Sequence, residues 1–501
     1  MPRPLRRLLP LLALVAGLGL APPAHAAPGR SVVVEDVKAK DVRQLQRMGD
    51  AGYFLLVEGR QEGWQTAHTL STWDLDLNPL GQGTIQLPAG AQLSRGVFDG
   101  EQIYLTTTDL VQQEIQVHAF TTAARPAGVV TLPGDLKPAY RPYLYGVAAA
   151  APGAGVYLTM LDLYKRKFAC KALLIGRDRT VRWEQPVFHP KGFTRCSALE
   201  DVGEGRAVQL VSHTIGMGGR TEMDLRFLDP ATGAVVARHR LHADDHVHDP
   251  TTVYPTDDGL FLAGASWDAR QMPLRPPDGF FVTRLQRDGA VDYSLRANWD
   301  AEAWWKFRGA DEATYDAMVG HRANMLVHEV WSLGGHDVVV AELVRWKIGG
   351  NSTTPAGKPR TTATTFGDYL IIRIARDSGA LVDLQLVPKA DRTVQLPAAV
   401  TEELGFARVA REQGWSGFLF SEPIGDDGAL RVVSWSNEAP GRSLDTLTIA
   451  ADGTVSTGHI PLDAMRRRDR TALFRSSPGH VVVVQYVAKE RRLTLEQVAL
   501  D

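Results

Sequence analysis

Two neighbouring runs of sequence decide the fold: DDGLFLAG at residues 257–264 and FFVTRLQRDGAVDYSL at residues 280–295. Each places a short run of apolar, β-branched or aromatic residues next to an Asp-Gly turn signal, which is typical of a β-strand bounded by a tight turn. Asp and Gly suit such turns because they tolerate positive φ angles. The two runs therefore predict a unit of strand, turn, strand, loop, strand, turn and strand.

The same unit recurs along the chain. Further apolar runs of strand length lie at 53–57, 103–107, 156–160, 207–211, 338–342, 430–434 and 481–485. The repeated units start near residues 41, 92, 142, 194, 246, 322, 405 and 466. In the first half of the chain the units are about 50 residues apart, and such a repeat with four strands per unit is typical of a β-propeller. We predict an all-β fold, a propeller of seven or eight four-stranded blades with eight preferred; two smaller β domains are the alternative.

The last unit lacks a strand. It has three clear strands and ends with Arg492–Val498, whereas the early strand Ser31–Val37 has no partner of its own. An unpaired edge strand invites aggregation, and proteins avoid this by covering or pairing the edge. We therefore expect residues 31–37 to supply the outer strand of the last blade.

The composition limits the class of protein. The 501 residues are 44% hydrophobic and 22% charged, with a formal net charge of −2. These values exclude a long disordered, collagen-like or disulfide-dense chain. They also give no electrostatic reason to expect nucleic acid or an acidic membrane as a partner. No apolar run beyond residue 27 reaches the roughly 18 residues of a membrane span, so none is expected.

The N-terminal residues have the pattern of an export signal. Met1–Arg7 is basic, Leu8–Leu20 is apolar, and Ala24-His25-Ala26 fits a small-x-small cleavage site. We expect a signal peptide at residues 1–26, a propeller domain at 27–501, and a periplasmic or secreted protein. In an oxidising compartment Cys170 and Cys196 could form a disulfide, with two buried free thiols as the alternative.

The stretches Phe227–Gly233 and Asp178–Trp183 show the strand-turn unit in its clearest form. In these stretches the chain resembles bacterial exported propeller proteins, including the quinoprotein-like group. The resemblance implies the fold and assigns no residue a role. Catalytic quinoproteins would also have adjacent cysteines and a regularly placed blade-end tryptophan. This chain has no adjacent cysteines, and Trp183 is its one clear blade-end tryptophan, so the resemblance does not extend to the cofactor.

Histidines and acids concentrate between residues 239 and 249. His246 and His248 are two positions apart, so on an extended chain they share a face, and Asp249 follows directly. His328 begins the next unit in a similar sequence context, Val-His-acid. Imidazoles and carboxylates bind zinc and other divalent ions. We predict a possible divalent metal site at these four residues, with a solvated loop and simple repetition as alternatives.

An insertion and two long loops interrupt the repeat. The insertion at 298–320 has helical propensity, and its Trp304, Trp305 and Phe307 would either pack the helix on the propeller or contact a ligand. The loop at 268–278 contains Arg270 and Arg275, and a second loop spans 347–367.

In a propeller, the loops between second and third strands open on the same face as the links between blades. The irregular features of this sequence therefore fall on one face, and binding usually lies on loops of a rigid scaffold. We predict an exported propeller that binds a small molecule, glycan or envelope protein through this face. A metal-assisted hydrolase or lyase is the first alternative, and an envelope scaffold is the second.

Overall fold

A computed structural model of the chain describes residues 15–16, 31–38, 41–94, 96–134, 146–164, 167–203, 205–215, 221–242, 245–256, 259–268, 277–299, 307–308, 324–347, 361–397, 410, 415–425, 428–436, 443–461, 470–477, 479–487 and 489–500. Its strands form eight separate antiparallel sheets of four main strands each, a β-propeller of eight blades. The preferred prediction of eight blades is confirmed.

The first half of the chain forms blades 1 to 4. Two short strands, β1 (Val15–Ala16) and β2 (Ser31–Val34), come before them. Blade 1 contains β3 (Val42–Arg47), a 3-10 turn (Gly49–Ala51), β4 (Tyr53–Glu62), β5 (Gln65–Trp73) and β6 (Pro79–Pro88). Blade 2 contains β7 (Gln92–Leu93), β8 (Val97–Phe98), β9 (Gln102–Asp109), β10 (Glu114–Thr121) and β11 (Pro126–Pro133). Blade 3 contains β12 (Gly146–Ala151), β13 (Gly155–Tyr164), β14 (Lys167–Gly176) and β15 (Val181–Val187). Blade 4 contains β16 (Gly192–Asp201), β17 (Ala207–Ile215), β18 (Thr221–Leu228) and β19 (Val235–Arg240).

The second half forms blades 5 to 8. Blade 5 contains β20 (His246–Thr256), β21 (Gly259–Asp268), β22 (Gly279–Leu285) and β23 (Val291–Asn298). Blade 6 contains β24 (Phe307–Arg308), β25 (Asn324–Leu333), β26 (His336–Lys347), β27 (Thr361–Ala375), β28 (Leu381–Val387) and β29 (Arg392–Pro397). Blade 7 contains β30 (Phe418–Ile424), β31 (Ala429–Trp435), β32 (Ser443–Ile449) and β33 (Val455–Pro461). Blade 8 contains β34 (Arg470–Arg475), β35 (His480–Val487) and β36 (Arg492–Ala499).

The missing strand of blade 8 comes from the other end of the chain. Strand β2 pairs antiparallel with β36, so that Ser31 lies opposite Glu496 and Val34 lies opposite Leu493. At the opposite edge of the same sheet, β1 pairs with β34. The predicted role of residues 31–37 is confirmed for the four residues that form β2.

The chain divides into two compact units. Unit 1 comprises Met1–Val187, Ser197–Leu199 and Asp463–Asp501, which include blades 8, 1, 2 and 3. Unit 2 comprises Phe188–Cys196 and Glu200–Leu462, which include nearly all of blade 4 and all of blades 5, 6 and 7.

Within each unit the hydrophobic core lies between neighbouring blades. In unit 1, Tyr53 and Leu55 of blade 1 pack against Val482 of blade 8. In unit 2, Phe280 of blade 5 belongs to one cluster with Val339 of blade 6. The sheets are apolar on both faces because each face covers a neighbour, as in sheets buried on two sides. Fully burying one such side chain contributes about 1.5–3 kcal/mol.

Buried carboxylates link neighbouring blades within the units. In unit 2, Asp337 of blade 6 accepts hydrogen bonds from Arg284 Nη1 at 2.6 Å and Tyr293 Oη at 2.7 Å, both of blade 5. In unit 1, Asp99 of blade 2 accepts a bond from Arg177 Nε of blade 3 at 2.7 Å. Charge-assisted bonds of this kind satisfy a carboxylate that burial would otherwise penalise.

Two local predictions about irregular segments are wrong. Phe307 was expected in a helix, but its backbone forms β24, which runs parallel to the outer edge of β28. Pairing with an open sheet edge outweighs weak helix propensity. The predicted loop 347–367 is shorter than expected, because residues 361–367 belong to β27. Most of the predicted helical insertion, including Trp304 and Trp305, lies outside the described residues.

Neither cysteine is a free thiol: both Cys170 and Cys196 are disulfide-bonded. Cys170 lies in β14 and is buried, and Cys196 lies in β16.

We expect closure by β2 to contribute measurably to stability. A chain that starts at residue 39 loses β2 and the buried Val37, and it leaves the edge of β36 unpaired. Lost burial and lost ladder hydrogen bonds should lower the free energy of unfolding by about 2–4 kcal/mol relative to residues 27–501. Urea unfolding of the two chains measures this, and equal midpoints with equal slopes would contradict it.

Candidate functional site

The predicted metal residues occupy two places in unit 2. His246 and His248 lie at the start of β20 in blade 5, opposite Asp268 and Ser266 of β21. Asp249 follows His248, so its side chain leaves from the opposite face of the strand. His328 lies in blade 6, on β25. The structure therefore brings together two of the four predicted residues.

The two histidines belong to a polar cluster at the ends of strands from blades 4 and 5. Their rings are 4.7 Å apart, and the ring of His248 stacks on Phe281 of β22 at 4.2 Å. Arg296 of β23 lies opposite Phe281 in the sheet, and His239 of β19 interacts electrostatically with His248. We call His239, His246, His248 and Arg296 the histidine rim.

The rim has an unusual protonation pattern. Burial, followed by His246 and Arg296, lowers the pKa of His248 to about 3. Burial also lowers the pKa of His239. Both imidazoles are therefore neutral at pH 7, and each offers one N–H donor and one acceptor nitrogen. Within the described part of the chain, Nε2 of His248 is buried without a hydrogen-bond partner.

Other contacts hold the rim in place. Arg296 Nε donates to Ser266 Oγ at 2.9 Å, which orients the guanidinium along the sheet. His246 Nδ1 lies 2.5 Å from Asp245 Oδ1, and this hydrogen bond lowers the pKa of Asp245. The rim therefore combines one fixed cation with three imidazoles, and the carboxylate of Asp245 lies beside it.

The rim does not have the ligand number of a structural metal site. A zinc site takes three or four protein ligands. Among the residues that the structure describes, no group of three or more His, Cys, Asp or Glu side chains is placed to hold an ion. His246 and His248 are two candidate ligands, which is fewer than a zinc site takes.

His328 lies in a different setting, a buried ion cluster in blade 6. Its Nε2 is 2.9 Å from Glu342 Oε2, and Lys389 Nζ contacts the other oxygen of the same carboxylate. Lys389 also lies 4.6 Å from the ring centre of Tyr369. The ring of His328 stacks on Phe418 of blade 7 at 4.1 Å. His328, Glu342, Tyr369 and Lys389 make up the buried ion cluster.

A β-bulge creates this arrangement. Val327 pairs with Ala341 and Glu329 pairs with Val340, so His328 is the extra residue. A bulge re-aims a side chain by breaking the alternation of the strand. The equivalent bulge in β20 falls between Pro250 and Thr252, which places residue 251, and not His248, at the position of His328. The two Val-His-acid sequences are therefore not structurally equivalent.

Blade 1 repeats the design of the cluster. Its first strand has a bulge between Val42 and Gln44, and the extra residue, Arg43, pairs with Glu58 of the second strand. His68 of the third strand lies opposite Glu58, as Tyr369 lies opposite Glu342 in blade 6. A bulged basic residue thus lies next to a second-strand glutamate in both blades.

The electrostatics of the buried ion cluster suit a structural link. Burial opposes the charge on Lys389, but Tyr369 and Glu342 outweigh it and raise the pKa of the lysine. Burial raises the pKa of Tyr369. His328 is 1% exposed and Glu342 is 0% exposed. The charges are paired with each other, and the side chain of Lys389 is 12% exposed, which leaves little access for a substrate.

Next to this cluster, two strands of blade 6 extend beyond its four-stranded core. Strands β26 and β27 have 12 and 15 residues. In the extension β27 pairs with β26 on one side and with β29 on the other, Thr361 lying opposite Pro397. Arg345 and Asp391 form a salt bridge of 2.9 Å there. This projecting sheet points from the same end of the strands as the histidine rim.

The predicted ligand contacts are only partly within the described residues. Arg270, Arg275, Trp304 and Trp305 lie outside them, and only the backbone of Phe307 is described. Sequence reasoning missed Glu342 and Lys389. An acid inside the apolar run 338–344 was the signal that could have identified Glu342.

No helix in the described portion has the length and apolar character needed to cross a bilayer. No protein-family description matches the chain, and no curated protein is significantly similar to it.

Solved structures are similar to this chain in fold alone. A prolyl endopeptidase, from work on two such enzymes, is 12% identical with a TM-score of 0.37 over 89% of this chain and 54% of that one. This chain therefore spans about half the length of that endopeptidase. The β-propeller domain of the Trilobed protease from Pyrococcus furiosus is 7% identical, with a TM-score of 0.38 over 85% and 96% of the chains. A lignostilbene dioxygenase from Pseudomonas brassicacearum is 11% identical, with a TM-score of 0.36 over 79% and 83%.

The neutral state of His248 predicts acid sensitivity. An imidazole in the unfolded chain titrates near 6.5, whereas the folded value is about 3. The folded state resists protonation, so this contribution is complete above pH 6.5 and is lost as pH falls toward 3. His248→Phe keeps the stack on Phe281 without titrating. Between pH 6.5 and 4 it should lose about 2–4 kcal/mol less stability than wild type.

Unfolding free energies of both proteins at each pH test this prediction. His459→Ala, which removes a half-exposed imidazole in blade 7, is the control and should follow wild type. Parallel curves for wild type and His248→Phe would contradict the prediction.

The buried ion cluster predicts a strong dependence on charge balance. Lys389→Met leaves Glu342 buried with one partner fewer and should cost about 3–5 kcal/mol. The double variant Lys389→Met and Glu342→Gln removes both charges and should recover at least half of that loss. Urea unfolding measures both, and a loss below 1 kcal/mol in the single variant would contradict the role assigned to the pair.

Proposed function

We propose that the protein is exported and binds a ligand through one loop-rich face of the propeller. The histidine rim would contact an acidic group of this ligand. The observation that supports the proposal is the convergence of Arg296 with three imidazoles at strand ends of two neighbouring blades.

The chemistry of the rim favours an anion. Neutral imidazoles can donate N–H bonds, and a guanidinium presents several donors in a planar fork that matches carboxylate or phosphate oxygens. Nε2 of His248 is a buried polar atom that a bound group could satisfy. A small molecule or glycan with a carboxylate, phosphate or sulfate group is therefore the partner class that we propose.

The neighbouring elements would complete the site. The projecting sheet of blade 6 rises at the same strand ends as the rim. The predicted contacts Arg270, Arg275, Trp304 and Trp305 belong to segments that leave blade 5 near the rim, after β21 and β23. In the proposal they line the ligand around its acidic group.

A metal-assisted hydrolase or lyase is the second candidate. The facing rings of His246 and His248 support it, because two imidazoles can begin a divalent site. His328 is not suited as a further ligand, because its Nε2 already contacts the carboxylate of Glu342. The same carboxylate contacts Lys389. An envelope scaffold is the third candidate and would need no small-molecule site.

Binding of inorganic phosphate and of zinc to residues 27–501 distinguishes these functions. We expect phosphate to bind with a millimolar Kd and to raise the melting temperature. Arg296→Gln should weaken phosphate binding at least tenfold, because it removes the fixed cation. Isothermal titration calorimetry gives both affinities.

The matched control uses a second histidine-acid pair. His459 lies 3.0 Å from Asp445 in blade 7, as His246 lies beside Asp245. His459→Ala should bind phosphate like wild type, whereas the double variant His246→Ala and His248→Ala should not. Zinc at one ion per chain, lost only in that double variant, would favour the enzyme and overturn the proposal. No response to either probe would also overturn it.

A further inference from the structure

A core position of blade 4 holds a charged side chain. Arg226 of β18 is only 8% exposed. Gln209 of β17 lies opposite it on one side, and Arg238 of β19 lies opposite it on the other. Side chains of residues directly opposite in an antiparallel sheet point to the same face. We call Arg226, Gln209 and Arg238 the arginine row, and all three belong to unit 2.

Other blades fill the same place with uncharged core residues. In blade 4 the register between the third and fourth strands shifts between Phe227 and Leu228, and blades 1, 2, 3, 5 and 6 have the same shift. Counted from this shift, the residues equivalent to Gln209 are apolar and 0% exposed: Leu55, Leu105, Leu158, Leu262 and Val339. The residues equivalent to Arg226 are Ser71, His118, Leu173, Thr283 and Ile372. Packing alone therefore does not account for a guanidinium at this place.

The guanidinium of Arg226 lacks a partner within the part of the chain that the structure describes. Its Nε is buried without a hydrogen-bond acceptor. Asp224 attracts it electrostatically, but the two side chains form no salt bridge. Burial, followed by the charge of Arg238, lowers the pKa of Arg226. A buried charge in this state is unfavourable, because neither water nor a counter-charge stabilises it.

The surrounding charges leave an excess of positive charge. On this face the third and fourth strands carry Arg226, Arg238 and Arg240 against two acids, Glu222 and Asp224. Asp224 lies opposite Arg240, so that Arg226 and Arg238 face each other. Like charges directly opposite destabilise a sheet. An anion between the two arginines would remove this repulsion.

His213 lies in the same positive field. It is opposite Glu222 on the same face of the sheet, and its Nδ1 lies 2.9 Å from Thr194 Oγ1. Burial lowers the pKa of His213 to about 4, and the charge of Arg226 is the next largest cause. The charge of Arg226 thus acts on its neighbours, as expected of a cation that no counter-charge neutralises.

We propose that the arginine row binds a small oxyanion, a carboxylate or phosphate group, between Arg226 and Arg238. The Nε–H of a guanidinium and the N–H beside it are parallel donors that match two oxygens of such a group. Arg238 is exposed, so the group can enter from the outer strand of blade 4. The site is separate from the histidine rim, because His239 leaves from the other face of β19.

Calorimetric titration of inorganic phosphate and of acetate tests the proposal. The parent protein is Arg296→Gln in residues 27–501, because this substitution weakens the histidine rim as a competing anion site. We expect the parent to bind one ion per chain with a Kd of about 0.1–1 mM. Arg226→Met in this parent should weaken binding about tenfold or more, since it removes the pair of donors. The ion that binds more tightly identifies the group as carboxylate or phosphate.

Further variants keep the test decisive. Arg238→Gln alters an exposed side chain, so it should fold normally and weaken binding about threefold or more. Arg206→Gln removes a cation from the turn before β17 in the same blade and should bind both ions like the parent. In buffer without small oxyanions, Arg226→Met should melt no lower than its parent, because it removes a buried unpaired charge.

Three results would overturn the proposal. The first is a parent that binds neither ion, and the second is unchanged binding by Arg226→Met or by Arg238→Gln. The third is a lower melting temperature of Arg226→Met without anion, which would show a guanidinium already paired in the folded chain. Equal phosphate binding by wild type and Arg296→Gln would instead contradict the role of the rim and leave the arginine row as the anion site.

Discussion

Burial of apolar blade faces against neighbouring blades of the same unit is the constraint on which this structure depends. Sheets such as that of blade 5 are apolar on both sides, so a blade without neighbours would expose two hydrophobic faces. Packing of consecutive blades within each unit removes that surface from water. Long-range polar links such as Arg284 to Asp337 then fix how one sheet sits on the next. Some residues between strands, such as Val202 and Trp299, belong to the same clusters.

The same constraint explains how far the sequence could predict the fold. A strand buried on two faces must be apolar throughout and short, so every blade leaves a recognisable run such as Leu260–Gly264 followed by a turn. The predicted starts near 92 and 246 coincide with β7 and β20. The pairing of β2 with β36 could be predicted because the last blade lacked one strand and the strand at residues 31–37 had no partner of its own.

The candidate site could be predicted only in part, because its residues meet through register and not through spacing. His246 and His248 share a face by simple alternation, and the sequence shows this directly. The contact of His328 with Glu342 depends on a bulge in β25, and the contact of Glu342 with Lys389 depends on where β28 ends, neither of which local sequence specifies. The backbone pairing of Phe307 is unpredictable for a similar reason, because its partner strand β28 is distant in sequence.

The pairing of β2 with β36 also bears on when the protein can become native. Ser31 and Glu496 are separated by about 465 positions, and closing so long a loop has an entropic penalty near 5 kcal/mol. A contact of this separation forms late and slowly in folding. If the chain leaves the cell unfolded, its earliest exported strand must wait for the last one to arrive. Blade 8 would then become native only at the end of translocation. A truncated product would keep an unpaired strand edge, which quality-control proteases can recognise.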